Sequence, residues 1–454
     1  MVVAAAAAAV LLFKCLSMAP QADDILQSSL PGLWKYPTYK KQPVKYAEIW
    51  MECKKIDDNT DGLWRVHDGF YDFTEWVYKH PGGSDWLSIT KGSDITEAFE
   101  VHHVTKTAEY LLKQFFVRPA TEPRNSPYTF MDDGFYHTLK RKAQPILAQL
   151  PPGPSAQSKL CSDLLLAAFL LLSTVANATY NFKLGVLAGF ILNFLVVSAH
   201  NFFHMKDNFR MYYFDLSFLT SREWRISHAL SHHLYTNSLL DLELTFFEPL
   251  LQWVPYRTKS LCVRYGSWLY SFALYFIFFY ISIVSRLYLT VQGKLKPSLR
   301  KEDLIPFIPL FVMYAYSGAT FINTFIMWCW IVLIASFFFS LNGFNAAHHH
   351  PENFHDGDAP RADCDWGICQ VDAVKDRTEV NNSKFLVLVT FGDHCLHHLF
   401  PTIDHWHLHH LYPVFYETCK EFGITYKSGT VLDLLKGQFL QLAKNEPNRN
   451  PPGK

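Results

Sequence analysis

The chain of 454 residues carries 41 lysines and arginines against 41 aspartates and glutamates, so it offers no basic field and a nucleic-acid partner is excluded. Apolar residues reach 49% and charged residues only 18%, below the roughly 25% of soluble proteins, which points to membrane contact. Nine scattered cysteines without Cys-x-x-Cys spacing give no disulfide framework or dithiol motif, whereas 16 of the 21 histidines lie after residue 199.

Residues 1–20 form an apolar segment, with Lys14 after the run rather than before it, so the charged start of an export signal is missing. Residues 21–118 are polar and mixed enough for a small soluble domain. Pro119, Pro123 and Pro127 then interrupt any regular element, and 129–150 reads as an amphipathic helix stopped by PPGP at 151–154. The stretch 119–159 is therefore a linker with one helix. From 160 to 425 the pattern is that of a membrane domain. The runs 161–179 and 184–203, joined near Lys183, approach the length that crosses about 30 Å of hydrocarbon and predict a helical hairpin. Runs 266–289 and 319–344 predict two more spans, while 303–317 is short and weakened by Pro306 and Pro309. Residues 426–454 read as a C-terminal tail.

The segment from Leu63 to His103 holds the first constellation, LWRVHDGFYDFTEWVYKHPGGSDWLSITKGSDITEAFEVHH. Pro81 fixes the exit from His80, and Gly82 and Gly83 let the backbone turn tightly against a flat cofactor. A second imidazole from His102 or His103 would close both axial positions of a haem, leaving electron transfer rather than oxygen binding. HPGG, the preceding YDFTEW, and the pattern Gly92-x-Asp94-x-Thr96-x-x-Phe99 resemble the cytochrome b5 family. The resemblance makes His80 one axial ligand and favours His103 for the other, with His102 the alternative. His67 and His137 lack such context and are read as solvated.

Four histidine groups follow. His200 and His204 stand four apart on one helix face, and His228, His232 and His233 stand at i, i+4 and i+5. His348, His349 and His350 form a run, and His394, His397 and His398 stand at i, i+3 and i+4. If the groups share a site, the chain crosses the membrane an even number of times between His233 and His348. Treating 303–317 as interfacial or broken satisfies this, and sets the basic loop 293–303 opposite the histidines. Two first-row metals with an open edge need about eight to ten ligands, and one histidine of the triple plus the other three groups supplies nine. Zinc, which takes about four, is oversupplied, and no HExxH motif is present. Asp207, Asp241, Asp356 and Asp393 are candidates to accept the second ring N–H, and Asn201, Asn237 and Asn345 to hold water or bond imidazoles.

HNFFH at 200–204, HHLYTN at 232–237, DWGICQ at 365–370 and HCLHHLFP at 394–401 resemble the membrane fatty acid desaturase superfamily over about residues 160–425. The whole chain resembles its cytochrome b5-fused branch, most closely the insect cytochrome b5-related members. The resemblance implies an α+β cytochrome b5-like haem domain followed by an all-α multi-span membrane desaturase-like domain. It makes His200, His204, His228, His232, His233, His394, His397 and His398 iron ligands. It takes a ninth from 348–350, where His348 is favoured and His349 restores a four-residue spacing from Asn345. The implied cofactors are a b-type haem and two non-haem iron ions. The implied partners are NADH-cytochrome b5 reductase or a similar electron donor, and an acyl lipid or acyl-CoA substrate.

The implied activity is oxygen-dependent desaturation of an acyl chain in a slot formed by the spans 184–203 and 319–344, in the endoplasmic reticulum with both redox centres facing the cytosol. A lipid hydroxylase with the same centre and a non-catalytic electron-transfer protein are the alternatives. Two departures matter. The second group is H-x3-HH where the common fused desaturases have H-x2-HH, which on a regular helix rotates the first imidazole by about 100° and puts His228 in doubt. His394 stands where front-end desaturases often have glutamine, which argues against front-end regiochemistry. A further H-x3-HH at His405, His409 and His410, with His407 between, is read as supporting or surface.

Overall fold

A computed structural model describes residues 27–255, 257–295, 300–344 and 347–453. The N-terminal apolar run and Asn345 lie outside the described residues.

Ala47–Asp58 forms helix α1, ended by Asn59 in the left-handed region. Strands β1 (Trp64–Val66), β2 (Gly69–Tyr71) and β3 (Phe116–Pro119) make an antiparallel sheet in that order. Helices α2 (Ser84–Thr90) and α3 (Thr96–His102) lie between β2 and β3 in the chain. Trp64, Val66, Phe73, Val77, Leu87, Ile95 and Phe99 form the small core of this unit. The small unit therefore closes through Pro119, which stands at the sheet edge where its missing N–H is harmless.

Residues before Trp64 do not belong to that core. Tyr39 donates to the carbonyl of Leu239 at 2.6 Å, and the Trp50 indole donates to that of Leu240 at 3.0 Å, so this stretch straps the larger body. The expected linker is also packed. Arg124 pairs with Asp94 at 2.8 Å and with Glu97, and Tyr235 of the larger body donates to the other Glu97 oxygen at 3.0 Å. Glu97 is fully buried, and removing one partner from such a cluster costs about 3–5 kcal/mol.

Helix α4 (Phe135–Leu147) is shorter than the 129–150 expected. It carries His137, which together with His67 closes on Glu100 at 2.9 and 2.7 Å. Neither is simply solvated, because Glu100 supplies a buried carboxylate between the small unit and α4 that no sequence spacing signals.

The predicted hairpin is α5 (Ala156–Ala178) and α6 (Phe182–Phe203). Ser155 caps α5 by accepting from the Ser158 N–H, and Asn181 caps α6 by accepting from Lys183 and Leu184. Helices α7 (Ser267–Val291) and α9 (Phe321–Phe344) are the other long apolar ones, and α8 (Ile308–Ser317) lies between them. Ten residues span about 15 Å, half a hydrocarbon core, so α8 is too short to cross by itself. Among the described residues four helices are long and apolar enough to span a bilayer, which makes this a multi-pass membrane protein. Gly189 lets α6 approach α9 closely, since a Cβ there would lie 2.7 Å from Ile334 and 2.8 Å from the Ile331 carbonyl.

Helix α10 (Trp366–Asp372), strand β4 (Asp376–Arg377) and helix α11 (His394–Leu399) follow. Of the expected tail, 426–454, the described residues up to 453 are built into the body rather than trailing. Strand β5 (Ser428–Gly429) pairs with β4, and α12 (Val431–Ala443) buries Gln438 and Gln441 against Tyr275 and the Trp253 carbonyl. Two buried glutamines make that face polar in sequence, and so the packing was not legible.

Candidate metal centre

In the small unit, His80 follows a short 3-10 turn (Thr74–Lys79) and His103 follows α3. His80 donates its Nδ1–H to the Gly83 carbonyl at 2.9 Å, and His103 donates its own to that of Phe99 at 2.8 Å. Both Nε2 lone pairs are thereby left free to ligate. The ring centres are 6.2 Å apart. Two imidazoles on opposite sides of one ion, with bonds of roughly 2 Å, place their ring centres roughly 6.3 Å apart. Between them lies a cavity of about 500 Å³ walled by Phe73, Leu87, Ile95, Phe99 and Phe115. Burial lowers the His103 pKa to about 4, which keeps it an unprotonated donor. His102 turns instead to Trp86, with ring centres 5.1 Å apart. The pocket fits a flat, apolar cofactor ligated by His80 and His103.

The later histidines form two groups. His200, at the end of α6, and His204, its C-cap, meet His228, His233 and His397. His232, His348, His394 and His398 make the second group. In the first, Nε2 separations are 2.8 Å for His200–His228, 3.0 Å for His200–His204, 3.0 Å for His228–His233 and 3.2 Å for His200–His397. In the second they are 3.0 Å for His232–His348 and 2.7 Å for His348–His394. Adjacent donors on a six-coordinate ion with bonds of about 2.1 Å sit about 3.0 Å apart, and on a tetrahedral one about 3.4 Å. Each group is thus compact enough to hold one ion, its ligand atoms all lying within 4.8 Å of one another. His233 of one group stacks on His398 of the other at 4.0 Å, so the groups are neighbours. Burial among other imidazoles holds His233, His348, His394, His397 and His398 well below the usual imidazole range, the neutral form a metal requires.

The extra residue of the second group is absorbed by the backbone. Arg225–His232 is π-helical, and the His233 N–H reaches the His228 carbonyl five residues back. This wider turn keeps His228 within the group, where a regular helix would swing it aside. The doubt that spacing cast on His228 is answered by this bulge, which leaves its ring among the other four.

Outer partners set the rings. Glu243 accepts from His228 Nδ1 at 2.8 Å, Asp241 from His232 Nδ1 at 2.9 Å, and the Ala373 carbonyl from His348 at 3.1 Å. Gln370 Oε1 lies 3.1 Å from His398 Nδ1. Of the four aspartates singled out by sequence, only Asp241 has this role. Asp207 pairs with Arg225, Asp356 binds Ser28 and Ser29, and Asp393 accepts from Tyr412. Asn201 accepts from His405, and Asn237 donates to the His348 and Phe354 carbonyls. Glu243 and Gln370 were missed; the DWGICQ motif holding Gln370 was the available signal. Glu243→Gln is expected to lower non-haem metal affinity about 10–100-fold with the haem spectrum unchanged, read by metal titration.

The remaining histidines stand apart. His349 stacks on Trp253 at 4.1 Å, and His350 lies 3.4 Å from Lys375. His405 packs against the His397 ring at 4.2 Å without joining either group, while His409 and His410 contact each other.

Against His228, His232, His348 and His394 lies a narrow cavity of about 80 Å³ walled by Trp224, Phe246, Phe278, Phe339, Phe344 and Phe391. Helices α7 and α9 supply Phe278, Phe339 and Phe344. The run 184–203 contributes nothing to it, because α6 spends its faces on α5 and α9.

A fatty acid desaturase family model matches residues 178–430, and a cytochrome b5-like haem/steroid binding domain model matches 50–120. The cytochrome b5-related protein of Drosophila melanogaster is 44% identical over 92% of this chain and 96% of its own length. The chain belongs to the cytochrome b5-fused fatty acid desaturase family. A cytochrome b5-related protein of Drosophila virilis is 42% identical over 29% of the chain and 91% of its own length. A probable Delta(5) fatty acid desaturase C of Dictyostelium discoideum is 23% identical, covering 85% of the chain and 92% of its own length. No solved structure matches. In family terms, the b5-like part is the small sheet unit, and both histidine groups lie within the desaturase-like part.

Proposed function

We propose that this desaturase-family chain is a membrane oxidoreductase that introduces a double bond into a fatty acyl chain. Electrons from NADH-cytochrome b5 reductase or a similar donor would enter at the haem domain. The observation that carries the reading is the pair of compact histidine groups, each able to hold a metal ion, against an aromatic-walled cavity. Bound there, the haem would supply one-electron transfer, and two iron ions would supply the oxygen-dependent oxidising power that attacks an unactivated C–H bond.

The chain's own residues do the rest. His80 and His103 would fill both axial positions of the haem and so exclude oxygen from it. Histidines 200, 204, 228, 233 and 397 would hold one iron, and 232, 348, 394 and 398 the other. Glu243, Asp241 and Gln370 hold the rings in orientation. The aromatic walls exclude water and align the acyl chain beside the second group. The irregular second group is what raises hydroxylation by the same centre as the alternative, and the π-turn that keeps His228 among the other rings supports the desaturase reading over it. The endoplasmic reticulum membrane, with both centres facing the cytosol, gives a soluble reductase domain access.

The test is reconstitution of full-length protein with haem, iron, reductase, NADH and acyl lipid, reading oxygen uptake and product mass. The expected product has lost two hydrogens. Gain of one oxygen would move the assignment to a hydroxylase, and iron-loaded protein that consumes no oxygen with acyl lipid or acyl-CoA would refute both.

A further inference from the structure

Arg225 is the first residue of the π-turn that carries His228 and His232, and it is fully buried. Its guanidinium touches three parts of the molecule. Nε donates to the Phe203 carbonyl at 3.0 Å, beside His204. Nη2 pairs with Asp207 at 2.7 Å, and Nη1 reaches Asp85 of the haem domain at 3.4 Å. The guanidinium also lies 4.9 Å over the face of Trp86, whose other neighbour is His102. The haem domain meets the same place with its backbone, since a Cβ on Gly83 would lie 3.1 Å from the Asp207 carboxyl. Gly83 is at φ +109°, so the HPGG turn approaches Asp207 in a way only glycine allows.

The result is a shared wall. The cavity between His80 and His103 is closed on its far side by His204, Met205 and Leu230, and His204 belongs to the five-histidine group. A buried guanidinium with a planar fork can hold a carbonyl, two carboxylates and an indole face in fixed relation, which a flexible ammonium cannot. We infer that Arg225 is a positioning residue that registers the haem domain on the membrane domain, setting the haem cavity against His204 and so against the five-histidine group rather than the four-histidine one. The inference rests on the reading that these cavities take haem and metal ions.

The experiment compares full-length wild-type protein with Arg225→Met, Arg225→Lys and Asp85→Ala, each carrying haem and loaded with cobalt(II). Arg225→Met is expected to keep the bis-imidazole haem spectrum and the cobalt content. Deuterium uptake at amides 82–88 and 203–208 should rise about tenfold. Cobalt should also lose most of its effect on the relaxation of the ferric haem paramagnetic resonance signal, a distance readout that a general loss of stability would not reproduce. Arg225→Lys should fall between, because one ammonium reaches one partner. Should Arg225→Met fail to fold, Asp85→Ala removes the haem-side anchor at a partly exposed position and is expected to move both readouts the same way. Unchanged exchange and relaxation in the folded variants would overturn the inference. A wild type that binds no cobalt at the histidine groups would defeat the functional reading instead, and the exchange measurement would still decide the role of Arg225.

Discussion

His80→Ala is expected to abolish the six-coordinate b-type spectrum and reductase-driven turnover while non-haem iron stays bound. The argument rests on separation of the two donor sets. His80 and His103 are fixed by carbonyls of their own domain, Gly83 and Phe99, and no bond of theirs reaches the nine later histidines. Losing one imidazole leaves a haem with an open position and an altered spectrum, yet disturbs none of the contacts that hold the other groups. Optical spectra, iron analysis and NADH-dependent oxygen uptake on one preparation make the check. Unchanged turnover would refute the haem domain as internal electron donor.

His397→Ala is expected to have the converse effect. It should remove bound iron or lower its affinity by more than the roughly 100-fold that losing an outer partner can cost, with the haem spectrum intact. His397 sits 3.2 Å from His200 and against the rings of His204 and His233. Its loss leaves four donors where five were spaced for one ion, and opens a void among fully buried imidazoles. Retention of both iron content and oxidation would exclude His397 as a ligand. The neighbouring His405→Ala is the comparison, since His405 packs on the same ring without belonging to the group. Its effect on iron should be far smaller.

Much of this was legible in the chain alone. HPGG with its ordered neighbours located the cavity between His80 and His103, because a turn that must pass close to a flat group demands glycine and a fixed exit. Long apolar runs located the spanning helices, because every backbone group in lipid must be satisfied internally. Histidines at helical spacing beside the ends of those runs pointed to the two buried groups that could hold metal ions, because such an ion needs donors on one face.

Tertiary structure decided what spacing could not. Sequence supplied a triple, His348 to His350, with three equivalent donors, and only packing against His232 and His394 separates the first from two neighbours held by Trp253 and Lys375. The three-residue gap in the second group put His228 in doubt, and only the π-turn, a backbone choice made by surrounding contacts, keeps its ring among the others. Glu243 and Gln370 reach their histidines through folds of the chain rather than through any period. The register of the haem domain on the membrane domain depends on Arg225, Asp85 and Asp207, residues far apart in sequence whose meeting no local pattern encodes. Local rules fixed which donors exist, and long-range packing of buried charges fixed where they meet.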